Sequence, residues 1–162
     1  MAGSKFNIRK ATEQDAGALS EFRLALFQEL GEGPAASEVA KFLADCTCAI
    51  AKGIREGYSL SWLAEDPLGN CVSTMVMNVF QRLPSPRLRG TIEGYILNVY
   101  VSPGSRRQGV ASGLLKAAVE HASAAGFARI RLHATEEGRG VYSALGFRGR
   151  VDEMELVLGE SP

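Results

Sequence analysis

The period of hydrophobic positions changes several times along the first part of the chain, and each change marks a predicted element. A short strand is predicted over Phe6 to Arg9. Thr12-Glu-Gln-Asp15 has the form of a capping box with Asp in place of Glu, and apolar residues then recur at helical spacing. A second helix is predicted from about Ser37 to Glu56, with Gly57 just past its end and an interruption at Gly53. This part of the chain should therefore form a strand and two helices.

The middle of the chain carries a predicted hairpin and a long loop. Tyr58 to Glu65 and Cys71 to Phe80 are rich in residues that favour β-structure, and Asp66-Pro-Leu-Gly-Asn70 between them has turn chemistry. The two strands should be antiparallel neighbours. From Gln81 to Gly90, two prolines and three arginines predict a loop. Its length leaves two options open, a cover over a binding site or a solvated surface loop.

The second half alternates strand and helix. Tyr95 to Val101 is a nearly continuous apolar run, typical of a strand covered on both faces. A helical pattern follows from Gly109 to Ala125, then a strand over Phe127 to Ala134, a short helix over Glu136 to Leu145 and a last strand over Val151 to Leu158. Because strands joined by a crossover helix are usually parallel, we expect an α/β or α+β fold with a mixed sheet.

Length and composition restrict the class of protein. With 162 residues, 46% hydrophobic and 22% charged, the chain is expected to fold as a single domain over residues 1–162. Three cysteines are too few for a disulfide framework, and Cys46 and Cys48 are better explained as small, buried apolar side chains than as metal ligands. We find no leader segment and no apolar run of about 20 residues. The expectation is a cytoplasmic protein with no metal and no membrane span.

The charge is balanced overall but not along the chain. The formal net charge is zero, so no nucleic-acid partner is expected from long-range attraction. Residues 1–81 hold seven Lys and Arg against ten Asp and Glu, and residues 82–162 hold eleven against eight. We hypothesise that the basic half binds an anion and that the acidic half suits a cationic amine.

A candidate anion site lies between the strand that ends at Val101 and the helix that begins near Gly109. The intervening segment is Arg106-Arg107-Gln108-Gly109-Val110-Ala111. Free backbone N–H groups at a helix start attract anions, the glycine permits close approach of a ligand, and two arginines add donors. The segment is neither a P-loop nor a G-x-G-x-x-G dinucleotide motif. A solvated surface turn is the alternative interpretation of the arginine pair.

Three motifs in order resemble the GCN5-related N-acetyltransferase (GNAT) family. The first is Val99-Tyr-Val-Ser-Pro103, which is similar to the family's fourth strand. The second is the pattern Arg/Gln-x-x-Gly-x-Gly/Ala, met here by Arg106, Gly109 and Ala111. The third is Val141-Tyr-Ser-Ala-Leu-Gly-Phe147, similar to the family's Tyr-x-x-x-Gly-Phe segment. The resemblance covers essentially the whole chain.

The resemblance implies a fold, a cosubstrate and a set of binding residues. The fold is a mixed, mostly antiparallel central sheet flanked by helices, whose parallel fourth and fifth strands splay apart. The cosubstrate is acetyl-CoA, and the acceptor is a primary amine of a small molecule or peptide. Pantetheine would pair with the backbone of Val99, Tyr100 and Val101. The pyrophosphate would lie on the turn and helix start formed by Arg106, Arg107, Gln108, Gly109, Val110, Ala111 and Ser112.

Direct transfer is the chemistry that these residues suggest. A neutral amine that attacks a thioester makes a tetrahedral oxyanion, which a fixed N–H such as that of Val101 would stabilise. The resemblance implies that Tyr142 faces the coenzyme sulfur. Its phenol, with a usual pKa of about 10, is a plausible acid for a thiolate whose usual pKa is about 8.5. Tyr142 as a plain core aromatic is the alternative.

The base that deprotonates the amine is less clear from the sequence. Glu93, at the start of the central strand, is one candidate, and a solvated strand-end carboxylate is the alternative. Asn98 departs from those family members that have an acid near this point. His133 is either a core histidine or a residue of the acceptor pocket. Three residues of the predicted strands are likewise either core residues or part of an acceptor cleft: Tyr58, Trp62 and Met75.

Other functions remain open at this point. A non-catalytic acyl-CoA-binding or sensing module of the same fold would keep the phosphate site without the chemistry. A nucleotide-binding regulator would explain the arginine loop but not the segment from Tyr142 to Phe147. The sequence does not identify the acceptor, and it leaves the oligomeric state open, a homodimer included.

Overall fold

The computed structural model describes residues 5–150 and residue 156. The described residues form five strands: β1 Asn7–Lys10, β2 Ser59–Glu65, β3 Cys71–Gln81, β4 Ile92–Val101 and β5 Arg129–Leu132. The same part of the chain forms four α-helices: α1 Ala16–Leu30, α2 Val39–Glu56, α3 Val110–Ala124 and α4 Arg139–Ala144. Short 3-10 turns precede α1, α2 and α3. The last predicted strand falls outside the described residues, apart from Leu156.

The strands form one mixed sheet in the order β1-β2-β3-β4-β5. Every neighbouring pair is antiparallel except β4 and β5, which are parallel because α3 carries the chain back across the sheet between them. The predicted hairpin is confirmed, and Asp66 closes its turn by accepting the N–H groups of Leu68 and Asn70, both at 2.9 Å. The predicted mixed and mostly antiparallel sheet is also confirmed.

Helix α1 begins where the capping box predicts. The Thr12 N–H donates to Asp15 Oδ2 at 2.8 Å, and Arg9 of β1 holds the same carboxylate at 2.9 Å. Helix α2 ends at Gly57, whose φ of 79° suits glycine, as predicted. It does not break at Gly53. That glycine is needed because a Cβ there would lie 2.7 Å from Ser59 Cβ.

Two hydrophobic clusters cover the two faces of the sheet. Neighbouring residues of one strand point to opposite faces, so Trp62 and Met75 pack on the side of α3, whereas Leu63 and Val76 pack on the side of α1 and α2. Fully buried Leu114 and Leu115 of α3 complete the first cluster. The sheet is therefore the middle layer between two layers of helices.

Strand β4 separates from β5 halfway along its length. The pairing runs from Glu93 with Arg129 to Ile96 with Leu132 and stops there, whereas β4 continues to Val101. This confirms the predicted splay. At the same point β4 contains a bulge against β3, and Asn98 takes a φ of 62°. The sequence analysis did not predict the bulge.

No helix among the described residues is long and apolar enough to cross a membrane.

Candidate active site

The start of α3 leaves backbone donors unused. Gly109 precedes the helix with a φ of 80°, and the N–H of Gly113 is the first to close a helical bond, to the Gly109 carbonyl at 3.0 Å. The N–H groups of Val110, Ala111 and Ser112 have no acceptor among the described residues. These donors and the helix dipole together could hold an anion.

The two arginines of the preceding turn have different surroundings. Arg106 donates through Nε to the Val101 carbonyl at 3.0 Å and through Nη2 to Glu29 at 2.6 Å. Its guanidinium also lies over the Tyr100 ring, 5.4 Å from the centroid. Arg107 is exposed, has a φ of 57° and contacts no carboxylate among the described residues. Arg106 therefore fixes the turn against β4 and α1, whereas Arg107 leaves its charge available.

Glu29 and Gln108 complete the surroundings of the turn. The hydrogen bond from Arg106 lowers the pKa of the Glu29 carboxyl, and the Tyr100 hydroxyl donates to the same oxygen at 3.0 Å. Gln108 bonds the Gly104 carbonyl at 3.0 Å and accepts from Lys5 at 3.2 Å. These contacts hold the turn in one shape before any ligand is present.

The separated part of β4 presents an open edge beside this turn. The Tyr100 carbonyl faces β3, where it accepts from Ser73 Oγ at 2.7 Å, and the Ser102 N–H bonds the Val72 carbonyl at 2.9 Å. Backbone groups alternate in direction along a strand. Those of Val99 and Val101 therefore face the opposite edge of β4, which is unpaired because the pairing with β5 ends at Ile96. An extended ligand can pair there as a further strand would.

Tyr142 is held on α4 with its hydroxyl unused. The ring packs edge-on against Phe147, with the centroids 6.0 Å apart, and Gly138 leaves room for it. Burial raises the pKa of the phenol. The hydroxyl has no hydrogen bond to another described residue. At neutral pH Tyr142 is therefore a protonated phenol that can donate a proton.

Glu93 lies at the other end of the paired stretch of β4. Its carboxylate is buried and bonded to Arg129 and Arg131 at 2.6 Å, with Arg82 at 3.7 Å. Burial raises its pKa, but the hydrogen bonds from Arg129 and Arg131 outweigh burial, and the pKa is lowered. Glu93 is not among the residues that line the cavities described below. Its contacts favour a structural role, and its role as base stays a prediction.

Two adjoining cavities lie on the α1 and α2 side of the sheet. The larger, about 410 Å³, is bounded by α1, α2 and strands β2 to β4, and Tyr58 and Ser59 belong to its lining. The smaller, about 260 Å³, lies at the splay of β4, with Tyr95 and His133 in its lining. The Tyr95 hydroxyl is hydrogen-bonded to His133 Nδ1. Tyr58 and His133 thus line cavities, whereas Trp62 and Met75 are buried core residues on the α3 side of the sheet.

Arg23 is a cavity residue that the sequence analysis missed. It lines both cavities, and its Nη1 donates to Asn98 Oδ1 at 3.0 Å. One signal for it is present in the sequence, because Arg23 lies four residues after Leu19 and interrupts the apolar face of α1.

The long loop after β3 lies apart from both cavities. Arg82 closes the loop on itself by bonding the carbonyls of Leu88 and Gly90 at 2.8 and 2.7 Å. None of its residues lines either cavity. Within residues 5–150 and at residue 156, no group of three or more His, Cys, Asp or Glu side chains is placed to hold a metal ion.

The fold and site define a class of protein. The sequence profile described as the acetyltransferase (GNAT) family matches residues 24–147, and the chain belongs to this family. It is thus a transferase of the GNAT acetyltransferase class.

Solved structures agree with this assignment. A predicted acetyltransferase from Clostridium acetobutylicum, crystallised with acetyl-CoA, is 27% identical with a TM-score of 0.81, covering 94% of this chain and 96% of the other. A GCN5-related N-acetyltransferase from Ralstonia eutropha is 25% identical with a TM-score of 0.80, covering 95% and 99%. An acetyltransferase from Trypanosoma brucei, 24% identical with a TM-score of 0.68 over 94% and 99%, shares the fold. No curated protein matches the chain.

Proposed function

We propose that this protein transfers the acetyl group of acetyl-CoA directly to a primary amine of a small molecule or peptide. One observation carries the proposal. Strand β4 connects three features: the smaller cavity lies where β4 leaves β5, the unpaired edge runs on to Val101, and the turn before α3 is bonded to the Val101 carbonyl through Arg106. In acetyl-CoA, the long polar arm matches the open edge of β4 and the pyrophosphate matches the start of α3. An amine acceptor matches the smaller cavity. Family membership and the Clostridium structure with acetyl-CoA support the same choice.

The binding roles follow from the backbone. Pantetheine amides would pair with the backbone of Val99 and Val101 at the open edge, as a strand does, whereas the Tyr100 backbone between them faces β3 and would not pair. The pyrophosphate would accept hydrogen bonds from the N–H groups from Gly109 to Ser112, with Gln108 helping to shape the turn. Arg107 would add a free charge, and Arg106, already bonded to Val101 and Glu29, would hold the turn in place.

The transfer itself needs an oxyanion donor and an acid. The amine nitrogen attacks the thioester carbon, and the N–H of Val101 stabilises the oxyanion that forms. As the C–S bond breaks, the sulfur takes the proton of the Tyr142 phenol, and the nitrogen, which still carries one proton more than an amide, releases it to solvent, which also restores the phenol. The attacking ammonium must lose a proton first. The pair of His133 and Tyr95 in the smaller cavity is better placed to receive it than Glu93, which is enclosed by arginines.

Two measurements test the proposal. Acetyl-CoA at saturating concentration should raise the Tm, by mass action, by several degrees. A panel of amines with a thiol-release readout should then identify acceptors. No thermal shift at millimolar acetyl-CoA would contradict the binding site. A shift without CoA release from any amine would instead identify a non-catalytic acyl-CoA-binding module.

A further inference from the structure

The acidic residues of the N-terminal half do not supply free carboxylates to the acceptor side. Five of them are in ion pairs with basic residues: Glu13 with Arg55, Asp15 and Glu65 with Arg9, Glu29 with Arg106, and Asp45 with Lys41. Asp45 lies at the larger cavity, but Lys41 bonds it at 2.6 Å. The hypothesis that an acidic half attracts a cationic amine is therefore not supported by the cavities.

The charge inside the cavities belongs instead to Arg23. Its guanidinium is half-buried and lies over the Phe27 ring, 4.8 Å from the centroid, and it bonds Asn98 Oδ1 at 3.0 Å. No carboxylate pairs with it among the described residues. A guanidinium stays charged at any physiological pH, and a cation partly removed from water is stabilised by an anion.

Asn98 adds an unused donor beside Arg23. A guanidinium only donates, so the amide atom that faces it must be Oδ1, and Nδ2 points elsewhere. Asn98 Nδ2 is buried and has no acceptor among the described residues. Buried donors without partners are uncommon and call for an explanation. Arg23 and Asn98 together offer a positive charge and an unused donor, and the residues that the structure describes supply no carboxylate for the charge and no acceptor for the donor.

We infer, on the basis of the proposed function, that the acceptor is a small primary amine carrying an anionic oxygen group, and that Arg23 recognises this group. A carboxylate or phosphate accepts two hydrogen bonds from the planar fork of a guanidinium and neutralises its charge. The cavities of about 410 and 260 Å³ have the size of a small-molecule site. Arg23 is thus a specificity residue on the acceptor side, separate from the turn at Arg106 and Arg107.

Matched acceptor pairs test the inference. One series compares β-alanine with β-alaninamide and glycine with glycinamide, and the other compares phosphoethanolamine with ethanolamine. The anionic member of at least one series should have a kcat/KM about ten- to a hundred-fold higher, the range for a hydrogen bond to a charged group. The amides have the lower amine pKa and hence more free amine, which biases the comparison against this outcome. If the preference appears in the first series, the recognised group is a carboxylate; if it appears in the second, the group is a phosphate.

The variant Arg23→Gln should reduce this preference about ten-fold or more, and Arg23→Lys should retain part of it. Arg55→Gln removes the same charge from the surface of α2, outside both cavity linings, and should leave the preference as it is. If Arg23→Gln does not fold, as judged by its Tm, Arg23→Lys carries the test. An unchanged preference in Arg23→Gln, or a loss of acetyl-CoA affinity in its place, would overturn the inference.

A binding readout separates this inference from the proposed function. With acetyl-CoA present, the anionic amine should raise the Tm of the native protein and not that of Arg23→Gln. If this shift is seen and no CoA is released, the proposed transfer fails and the recognition by Arg23 stands. If CoA is released from amines without regard to the anionic group, the transfer stands and the recognition fails. No Tm shift and no turnover with either series would overturn the inference.

Discussion

Replacing Glu93 by glutamine removes the charge that three arginines share, and we expect it to lower stability rather than to remove a base. Breaking a fully buried ion pair costs about 3–5 kcal/mol. The Glu93 side chain is 4% exposed, but those of Arg129 and Arg131 are 33% and 36% exposed, so water can solvate the arginines afterwards. The expected loss in the free energy of unfolding is therefore about 2–3 kcal/mol. For a chain of this length it corresponds to a fall in Tm of roughly 4–12 °C.

Urea unfolding of the native protein and of Glu93→Gln measures this loss, with Glu13→Gln as the control. Glu13 also pairs with an arginine, but the two side chains are 41% and 58% exposed, so the control should lose at most about 1 kcal/mol. The pKa of Glu93 is lowered, so its stabilisation is fully present above the unfolded pKa of about 4.3 and is lost as the pH falls through the folded value. The difference in the free energy of unfolding between the native protein and Glu93→Gln should therefore become smaller at acidic pH.

Turnover decides between the two roles of Glu93. Well below the Tm, the folded variant should acetylate its acceptor within a few-fold of the native rate, whereas removal of a general base lowers the rate by about 10²–10⁴-fold. Glu93→Gln as stable as the native protein would refute the structural reasoning. A stable variant without turnover would return Glu93 to the role of base.

Three further outcomes are expected. Tyr142→Phe should lower kcat by about ten- to a thousand-fold with little change in the KM for acetyl-CoA, and unchanged steady-state turnover would remove Tyr142 from the mechanism. Arg107→Ala should weaken acetyl-CoA binding by about 1–3 kcal/mol in calorimetry, and equal affinity would count against its place at the phosphates. The hydrogen bond from Arg9 lowers the pKa of Asp15 to about 2, so its stabilisation is present above an unfolded pKa of about 3.9 and is lost towards pH 2. The stability of Asp15→Asn should therefore fall less between about pH 4 and pH 2 than that of the native protein. The same loss of stability in both would contradict the role given to Asp15.

Local patterns were enough to predict most of the elements. Hydrophobic period, capping residues and turn residues are properties of short segments, so α1, α2 and the hairpin of β2 and β3 were predicted to within a few residues. Strand β5 and helix α4 are both shorter than predicted. The turn from Thr135 to Gly138, in which the Gly138 N–H donates to the Thr135 carbonyl at 3.1 Å, lies between them.

Glycines show where the local pattern was insufficient. Gly53 interrupts a helical pattern, but it serves close packing against Ser59, and a Cβ on Gly94 would lie 2.5 Å from Met77 Sδ. Such contacts depend on which strand or helix lies alongside, and no short window of sequence contains that information.

The order of the elements and the family resemblance could be predicted from local sequence patterns, and the family profile confirms the resemblance. The contacts around the two cavities could not, because they depend on tertiary packing. Glu93 meets arginines 36 and 38 residues away, and Arg23 meets Asn98 over 75 residues. These pairs exist because the parallel register of β4 and β5 and the packing of α1 on the sheet bring distant residues together. Charge along the chain predicted an acidic acceptor side, but charge in space depends on which carboxylates are already paired.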